Sequence, residues 1–217
     1  MSDNESISSE KSTENFKTYK VSAKKSLNEY ANIDSKDESL IKWKKSLGLP
    51  TDDGDLLPLD FEGDKRSVVI LKFELYDTKS NALINEISFP KYRNSADVNS
   101  FLKNNYFSSS DNGKQIKIKE KTTFSIKIIF KIQNDLITGL KYKQSIKKAG
   151  ITLDKVDNQI GSYAPNTKTK PSYSITLPEI EAPSGLLGRG NYSIVSKFID
   201  DDKNDHLELN WSVNICK

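Results

Sequence analysis

The residues that could carry covalent or metal chemistry are few in this sequence. His206 is the single histidine and Cys216 the single cysteine among 217 residues. A Ser-His-Asp or Cys-His nucleophile system needs a histidine as its base, and a zinc site draws on several Cys and His ligands. The sequence therefore disfavours both kinds of site. Chemistry that uses carboxylates alone stays open, so an enzyme is disfavoured rather than excluded.

The densest group of carboxylates lies near the end of the sequence. Residues 200–205 read Asp-Asp-Asp-Lys-Asn-Asp, a spacing similar to that of a calcium-binding loop. The segment lacks the central Gly and the closing Glu of a helix-loop-helix calcium site. We therefore expect an acidic surface loop without a metal ion.

A lysine-rich stretch at 114–148 raises the question of a nucleic acid or an anionic membrane as partner. Its lysines alternate with Ile and Phe, which places them on the solvent face of strands. Phe130 and Tyr142 fall on the apolar face, so a platform for stacking bases is lacking. Because the formal net charge is only +3, the pattern favours a solvated face and no nucleic acid.

The elements that hold these residues follow from the apolar periodicity. From Ser67 onward the period is two, most clearly at 124–132, 140–147 and 207–215. Weaker strand candidates lie at 82–89, 151–156, 172–177 and 191–199. Short strands separated by turn residues predict an all-β, antiparallel β-sandwich. The long connection at 90–113 could support a short helix around Phe101 and Leu102.

The N-terminal part has helical signals instead. Ser26 with Glu29, and Ser35 with Glu38, are capping boxes, in which each side chain satisfies a backbone amide of the first turn. An apolar stripe follows the second box, and Gly48 and Pro50 end it. The stripe consists of Leu40, Trp43 and Leu47. Two helices this short are marginal alone in water. They must pack on their own domain or order on a partner.

These patterns divide the chain into four parts. The apolar share of 35% is low for a fully folded chain, so we expect a part without a core. We predict a disordered tail at 1–18, a regulatory helix-loop-helix arm at 19–50, an acidic linker at 51–66 and a β-sandwich at 67–217. One cysteine and the absence of an apolar N-terminal run favour a reducing compartment, so we expect a cytoplasmic protein.

Several blocks of the sequence resemble the Rho GDP-dissociation inhibitor family, and its fungal members most closely. They occur in the family's order. The blocks are 19–26 (YKVSAKKS), 37–40 (DESL), 137–142 (ITGLKY), 161–165 (GSYAP), 181–185 (EAPSG), 189–193 (RGNYS), 198–203 (FIDDDK), 205–207 (DHL) and Trp211. One such block would be a weak signal, whereas the ordered set is specific.

The resemblance implies an immunoglobulin-like sandwich preceded by a flexible arm with a short helical hairpin. It also implies binding rather than catalysis, with no cofactor. The expected partners are prenylated small GTPases of the Rho, Rac or Cdc42 type, preferably in the GDP form, in a 1:1 complex with a monomer. The arm would clamp the GTPase switch regions and block GDP release. The sandwich would shelter the geranylgeranyl group, so that the membrane encounter is transient.

The resemblance also carries over site residues. The arm positions are Asp37, Ser39, Leu40, Trp43 and Leu47. The isoprenoid-pocket positions are Phe73, Leu75, Ile116, Ile118, Phe124, Ile126, Leu136, Trp211 and Val213. The acidic patch, expected near the GTPase's basic tail, is Asp201 and Asp202. Each pocket residue taken alone could equally be plain core, and Asp37 could simply complement the helix start.

Three other readings stay open on the sequence. One is a general prenyl-binding chaperone without effect on nucleotide exchange. A second is an immunoglobulin-like adhesion or scaffold module, and the weakest is an enzyme. Asn191 occupies a position where animal members commonly carry serine, so phosphorylation there is not expected.

Overall fold

The structure is a computed structural model that describes residues 38–39, 56–104, 106–107 and 116–217. Glu38 and Ser39 are helical and exposed. The predicted tail and most of the predicted helical arm lie outside the described residues. Predictions on those parts stay predictions, as do the three boundaries between the four predicted parts.

The described part of the chain is dominated by β-strands that alternate buried and exposed residues. The strands are β1 (Val68–Asp77), β2 (Leu83–Ser88), β3 (Tyr106–Phe107), β4 (Ile116–Lys119), β5 (Thr123–Ile132), β6 (Ile137–Lys148), β7 (Ile151–Tyr163), β8 (Tyr173–Thr176), β9 (Ile180–Glu181), β10 (Gly190–Ile199) and β11 (Asp205–Cys216). The helices after residue 56 are α1 (Ser95–Asn104) and α2 (Gly185–Gly188). All four weaker strand candidates are confirmed as β2, β7, β8 and β10, and α1 confirms the short helix around Phe101.

The strands form two sheets that pack face to face. The first sheet has the order β2-β1-β5-β8, and β9 also pairs with β5. The second has the order β3-β11-β10-β6-β7, and β4 also pairs with β11. The predicted β-sandwich is therefore confirmed. One detail differs, because β3 and β4 run parallel to β11. Residues 120–204, which form β5 to β10, separate β4 from β11 and give the chain far more length than a parallel crossover needs.

Inward-facing side chains of both sheets make one core. In β5 the inward set is Phe124, Ile126, Ile128, Phe130 and Ile132, and in β11 it is Leu209, Trp211, Val213 and Ile215. Lys127, Ser212 and Asn214 alternate with them and are half-buried. The period of two in the sequence thus decides which face of each strand meets the other sheet.

The sandwich has two ends that differ in their loops. One end holds the connection 133–136 and the turn 200–204. The other holds the turns 120–122 and 149–150 and helix α2. We call the second the α2 end. This assignment follows from the antiparallel pairing of β6 with β7 and of β10 with β11.

Candidate functional site

A small cavity lies between the two sheets toward the α2 end. Its volume is about 70 Å³. It is lined by Phe124, Ile126, Gln144, Ile146, Ile180, Ala182, Pro183, Tyr192, Ile194, Trp211, Val213 and Ile215. Gln144 and the Tyr192 hydroxyl are the polar members of this lining. The geometry suits an apolar group.

Both sheets contribute walls to this inter-sheet cavity. Strand β5 supplies one wall, and β6, β10 and β11 supply the opposite wall from the second sheet. The segment from β9 to α2 covers the side. Most wall residues are buried, whereas Ile146 and Ile180 are half-buried and Pro183 is exposed. The covering segment is therefore the part of the wall that meets solvent.

A buried chain of hydrogen bonds fixes the deep wall of the cavity. The Trp211 indole N–H donates to the Ser196 hydroxyl oxygen over 3.0 Å, and Ser196 lies 2.8 Å from the Tyr142 hydroxyl. The Tyr142 hydroxyl donates to the Gln144 carbonyl oxygen over 3.3 Å. Burial raises the pKa of Tyr142 far above its usual value. These polar groups bond to one another, so little polar surface is left facing the cavity.

The structure brings four of the predicted pocket residues to the cavity, namely Phe124, Ile126, Trp211 and Val213. Phe73, Leu75, Ile116 and Ile118 are buried in the same core without lining the cavity. The Phe73 ring lies 6.4 Å from the Trp211 ring. Leu136 is half-buried in the β5–β6 connection, at the opposite end of the sandwich. Whether these positions contact a lipid stays a prediction.

The sequence did not lead us to predict that residues of β6, β9 and β10 line the cavity. Ile146, Tyr192 and Ile194 face inward and line the cavity. The alternation of β6 carried that signal, because Ile146 follows Leu140 and Tyr142 at even spacing. Ala182 and Pro183 had no periodic signal, since they lie in the segment that covers the cavity.

A charged clamp holds α2 beside the cavity. The Arg189 guanidinium donates to both Glu120 carboxylate oxygens, over 3.0 Å and 2.8 Å. The backbone N–H of Gly185 donates to the same carboxylate over 2.8 Å. These hydrogen bonds lower the pKa of Glu120 to about 2. Glu120 is therefore ionised at neutral pH, and its hydrogen bonds reach both ends of α2.

The predicted acidic patch lies in the turn between β10 and β11, where Asp201 and Asp202 are exposed. Asp201 forms an ion pair with Lys141 at 2.9 Å, and its carboxylate lies directly over Gly139. A Cβ on Gly139 would come within 1.7 Å of an Asp201 oxygen. These contacts hold the Asp201 carboxylate between Lys141 and Gly139.

The neighbouring Asp200 is buried and organises the turn. It accepts hydrogen bonds from the backbone and side-chain N–H groups of Asn204, over 2.9 Å and 3.0 Å, and lies 2.9 Å from His206 Nε2. Burial alone would raise the pKa of Asp200, but these partners outweigh burial and lower it. Among the described residues, no cluster of His, Cys, Asp and Glu is placed to hold a metal ion.

Of the predicted arm residues, only Ser39 lies within the described part. It is helical and exposed. Asp37, Leu40, Trp43 and Leu47 lie outside the described residues. Their role therefore stays a prediction.

The chain is a two-sheet sandwich with a small apolar cavity between its layers, and comparison with known proteins identifies its family. The family model for "RHO protein GDP dissociation inhibitor" matches residues 3–217. The chain therefore belongs to the Rho GDP-dissociation inhibitor family, which confirms the resemblance found in the sequence.

Named relatives support the same assignment. The chain is 55% identical over 199 residues to the Rho GDP-dissociation inhibitor of Saccharomyces cerevisiae, covering 92% of this chain and 90% of that protein. It is 38% identical over 195 residues to that of Schizosaccharomyces pombe, covering 89% and 83%. It is 32% identical over 199 residues to Rho GDP-dissociation inhibitor 1 of Homo sapiens, covering 92% and 85%.

A separate observation concerns the membrane. In the stretches that the structure describes, no helix is both long enough and apolar enough to cross a bilayer.

Proposed function

We propose that this protein is a Rho GDP-dissociation inhibitor, which binds prenylated Rho-type GTPases, slows GDP release and removes the GTPases from membranes. The observation that carries the proposal is the 55% identity to a protein of that name over 92% of this chain. The inter-sheet cavity supports it independently, because a carrier of a lipidated protein needs an apolar site between its layers.

The energetics require such a site. Each buried CH₂ contributes about 0.8 kcal/mol, so a twenty-carbon geranylgeranyl group has a transfer free energy of order ten kcal/mol. A protein that takes this group from a bilayer must offer an equally apolar environment. The lining from Phe124 to Ile215 is of that kind.

The cavity must widen to accept this group. Its volume of about 70 Å³ is well below the roughly 300 Å³ at which small-molecule pockets begin. The β9–α2 segment contributes the half-buried Ile180 and the exposed Pro183 to the wall. We therefore place the opening movement in this segment, with the β5, β10 and β11 walls staying in position.

The nucleotide effect is assigned to the arm. Asp37 and Ser39 would bond to the GTPase switch segments, and Leu40, Trp43 and Leu47 would supply apolar anchorage. A clamp on the switches stabilises one of their conformations, so the nucleotide does not leave. Because one chain carries both the arm and the cavity, each binding event raises the effective concentration of the other.

The remaining assignments follow from this role. The protein acts by binding and not as an enzyme, in the cytoplasm, as a monomer that forms a 1:1 complex. Asp201 and Asp202 would face the basic tail that precedes the prenylated end of the GTPase, where complementary charge speeds and orients association.

The deciding experiment is a binding titration of this protein with geranylgeranylated GTPase and, separately, with unmodified GTPase. We expect much tighter binding of the lipidated form, slower release of labelled GDP from it, and its removal from vesicles. A GTPase that stays on vesicles at an excess of this protein would disprove the proposal. Removal from vesicles with unchanged GDP release would instead indicate a general prenyl-binding chaperone.

One pair of variants tests the cavity itself. Ile146→Asn places an amide on the half-buried cavity wall, and we expect about tenfold weaker binding of the lipidated GTPase. Val195→Asn is the matched control, because Val195 is also half-buried but faces outward on β10. Binding of the unmodified GTPase should be the same for both variants. Equal losses of lipidated binding in both would contradict the assignment of the cavity.

A further inference from the structure

The α2 end of the sandwich exposes a group of large apolar side chains. Leu186 and Leu187 in α2 are 87% and 92% exposed, and Ile151 and Leu153 at the start of β7 are 67% and 55% exposed. Two other large apolar residues are exposed in the described part. Leu83 lies on the edge strand β2 of the first sheet, toward the same end of the sandwich, and Leu59 lies at the opposite end.

A single side chain connects these two apolar elements. The Lys148 ammonium, at the end of β6, donates to the backbone carbonyl oxygens of Leu187 and Arg189. Lys148 is also the β-partner of Ile151. Helix α2 and the β6–β7 turn are therefore neighbours. We call the set Ile151, Leu153, Leu186 and Leu187 the α2-end surface.

Contacts at both ends of α2 hold the backbone of its two leucines. Glu120 binds the Gly185 N–H and the Arg189 side chain, which fixes the helix at both ends. Gly188 packs so closely on Pro183 that a Cβ there would lie 3.0 Å from its backbone. These contacts therefore hold the backbone that carries the two exposed leucines.

The charges around this surface are mainly positive. The basic residues at this end are Lys79, Lys117, Lys119, Lys121, Lys147, Lys148, Arg189 and Lys217, and the acidic ones are Asp77, Glu120, Asp154, Glu179 and Glu181. Arg189 pairs with Glu120, so the remaining charge is an excess of lysine. Exposed apolar groups within a basic rim are typical of segments that lie in the interface of an anionic membrane.

The α2-end surface is also joined to the cavity. The Tyr192 hydroxyl donates to the Gly188 carbonyl oxygen over 2.6 Å, and Tyr192 lines the cavity. Ala182 and Pro183, which precede α2, line it as well. A flat surface that contacts Leu186 and Leu187 therefore also lies against the segment that covers the cavity.

We propose that the α2-end surface docks this protein on bilayers that contain anionic lipid. Leu186 and Leu187 enter the boundary between headgroups and acyl chains, and Lys121 and Lys147 meet the anionic headgroups. This orientation turns the covering segment of the cavity toward the bilayer. Docking in this sense needs no GTPase and stands apart from the proposed function.

The test is sedimentation of the full chain alone with vesicles of equimolar phosphatidylserine and phosphatidylcholine. We expect the double variant Leu186→Asn with Leu187→Asn to bind at least about tenfold more weakly than the original chain. Leu59→Asn is the control, because Leu59 is an exposed leucine next to Asp60, which pairs with Lys131 at the opposite end. It should bind like the original chain.

A second pair of measurements tests the electrostatic part. Lys121→Gln with Lys147→Gln should weaken binding about tenfold, and pure phosphatidylcholine vesicles should bind weakly. No binding of the original chain to the anionic vesicles, or equal binding by the leucine variant, would overturn the proposal.

GDP release from detergent-solubilised, prenylated GTPase should be unchanged in the leucine variant. That assay involves no bilayer, so it reports on the proposed function separately. A leucine variant that lost this effect would show a protein contact instead of a membrane contact.

Discussion

At the scale of single residues, the Ser196 hydroxyl joins two large aromatic side chains in the core. It accepts from the Trp211 indole and lies within hydrogen-bond distance of Tyr142, which in turn donates to Gln144. All four side chains are buried. If each hydroxyl donates once along this chain, the indole N–H and both hydroxyl groups have partners, and the bonds strengthen one another.

We expect Ser196→Ala to lower the free energy of unfolding by about 1–3 kcal/mol, because the buried Trp211 N–H loses its acceptor. Denaturant unfolding, followed by Trp fluorescence, measures this change. Ser193→Ala is the matched control, since Ser193 is exposed on the same strand. A loss in the control as large as that in Ser196→Ala would contradict the role of the hydrogen-bond chain.

Asp200 makes the turn 200–204 sensitive to acid. Its pKa in the folded protein lies below the ordinary 3.8, because the bonds from Asn204 and His206 outweigh its burial. Ionised Asp200 therefore stabilises the folded state at pH values above the ordinary pKa of 3.8. This contribution is lost as the pH falls through the folded pKa.

The corresponding variant is Asp200→Asn. It should lower the free energy of unfolding by about 1–3 kcal/mol near neutral pH, because a charged acceptor is replaced by an amide. The difference from the original chain should narrow as the pH falls below the ordinary pKa of 3.8 and through the lower folded pKa, where Asp200 becomes protonated. Unfolding curves across this range provide the measurement. A difference that stays constant with pH would refute the titration of Asp200.

At the scale of elements, the strands could be predicted because burial on one face imposes a period of two. That signal found β5 and β11 directly and β2, β7, β8 and β10 more weakly. The parallel pairing of β3 and β4 with β11 had no comparable signal. Parallel pairing is decided by where a long connection returns, and short-range periodicity does not contain that information.

The candidate cavity was predictable only in part. Phe124, Ile126, Trp211 and Val213 line it, whereas Phe73, Leu75, Ile116 and Ile118 fill the core nearby. All of these side chains face inward with the same alternation. Periodicity distinguishes inside from outside, but a gap between side chains depends on packing in three dimensions. The covering segment with Pro183 gave no periodic signal at all.

Gly139 tests how one strand supports the acidic turn. Its backbone is left-handed, with φ of 59°, and a Cβ would meet the Asp201 carboxylate. We expect Gly139→Ala to destabilise the protein by more than the roughly 1–2 kcal/mol of left-handed strain alone. Gly150→Ala is the control, because Gly150 has a φ of 81° and nothing within 4 Å of an added Cβ.

The difference between these two variants measures the clash with Asp201, and denaturant unfolding gives it directly. Asp201→Ala in the Gly139→Ala background should recover the excess loss, since the clashing carboxylate is then removed. If Gly139→Ala and Gly150→Ala lower the free energy of unfolding equally, the Asp201 carboxylate is free to move away from the added Cβ. The acidic turn would then be less fixed than its contacts indicate.

At the scale of the whole molecule, the proposed function divides between two parts of one chain. The core cluster of the described part extends from Val68 to Ile215. Leu56 and Leu57 pair with the segment at 166–167. The sandwich thus has its own core downstream of residue 55, so the lipid site and the arm can be separated by truncation.

Removal of residues 1–50 should therefore abolish the slowing of GDP release and keep much of the preference for prenylated over unmodified GTPase. The physical reason is that the switch clamp is assigned to Asp37, Ser39, Leu40, Trp43 and Leu47, whereas the cavity residues begin at Phe124. Release of labelled GDP and a binding titration, made on the same preparation, give both quantities. Removal of only residues 1–18 is the control and should change neither. If the longer truncation still slowed GDP release, contacts from the sandwich itself would have to hold the switches, and the assignment of inhibition to the arm would be wrong.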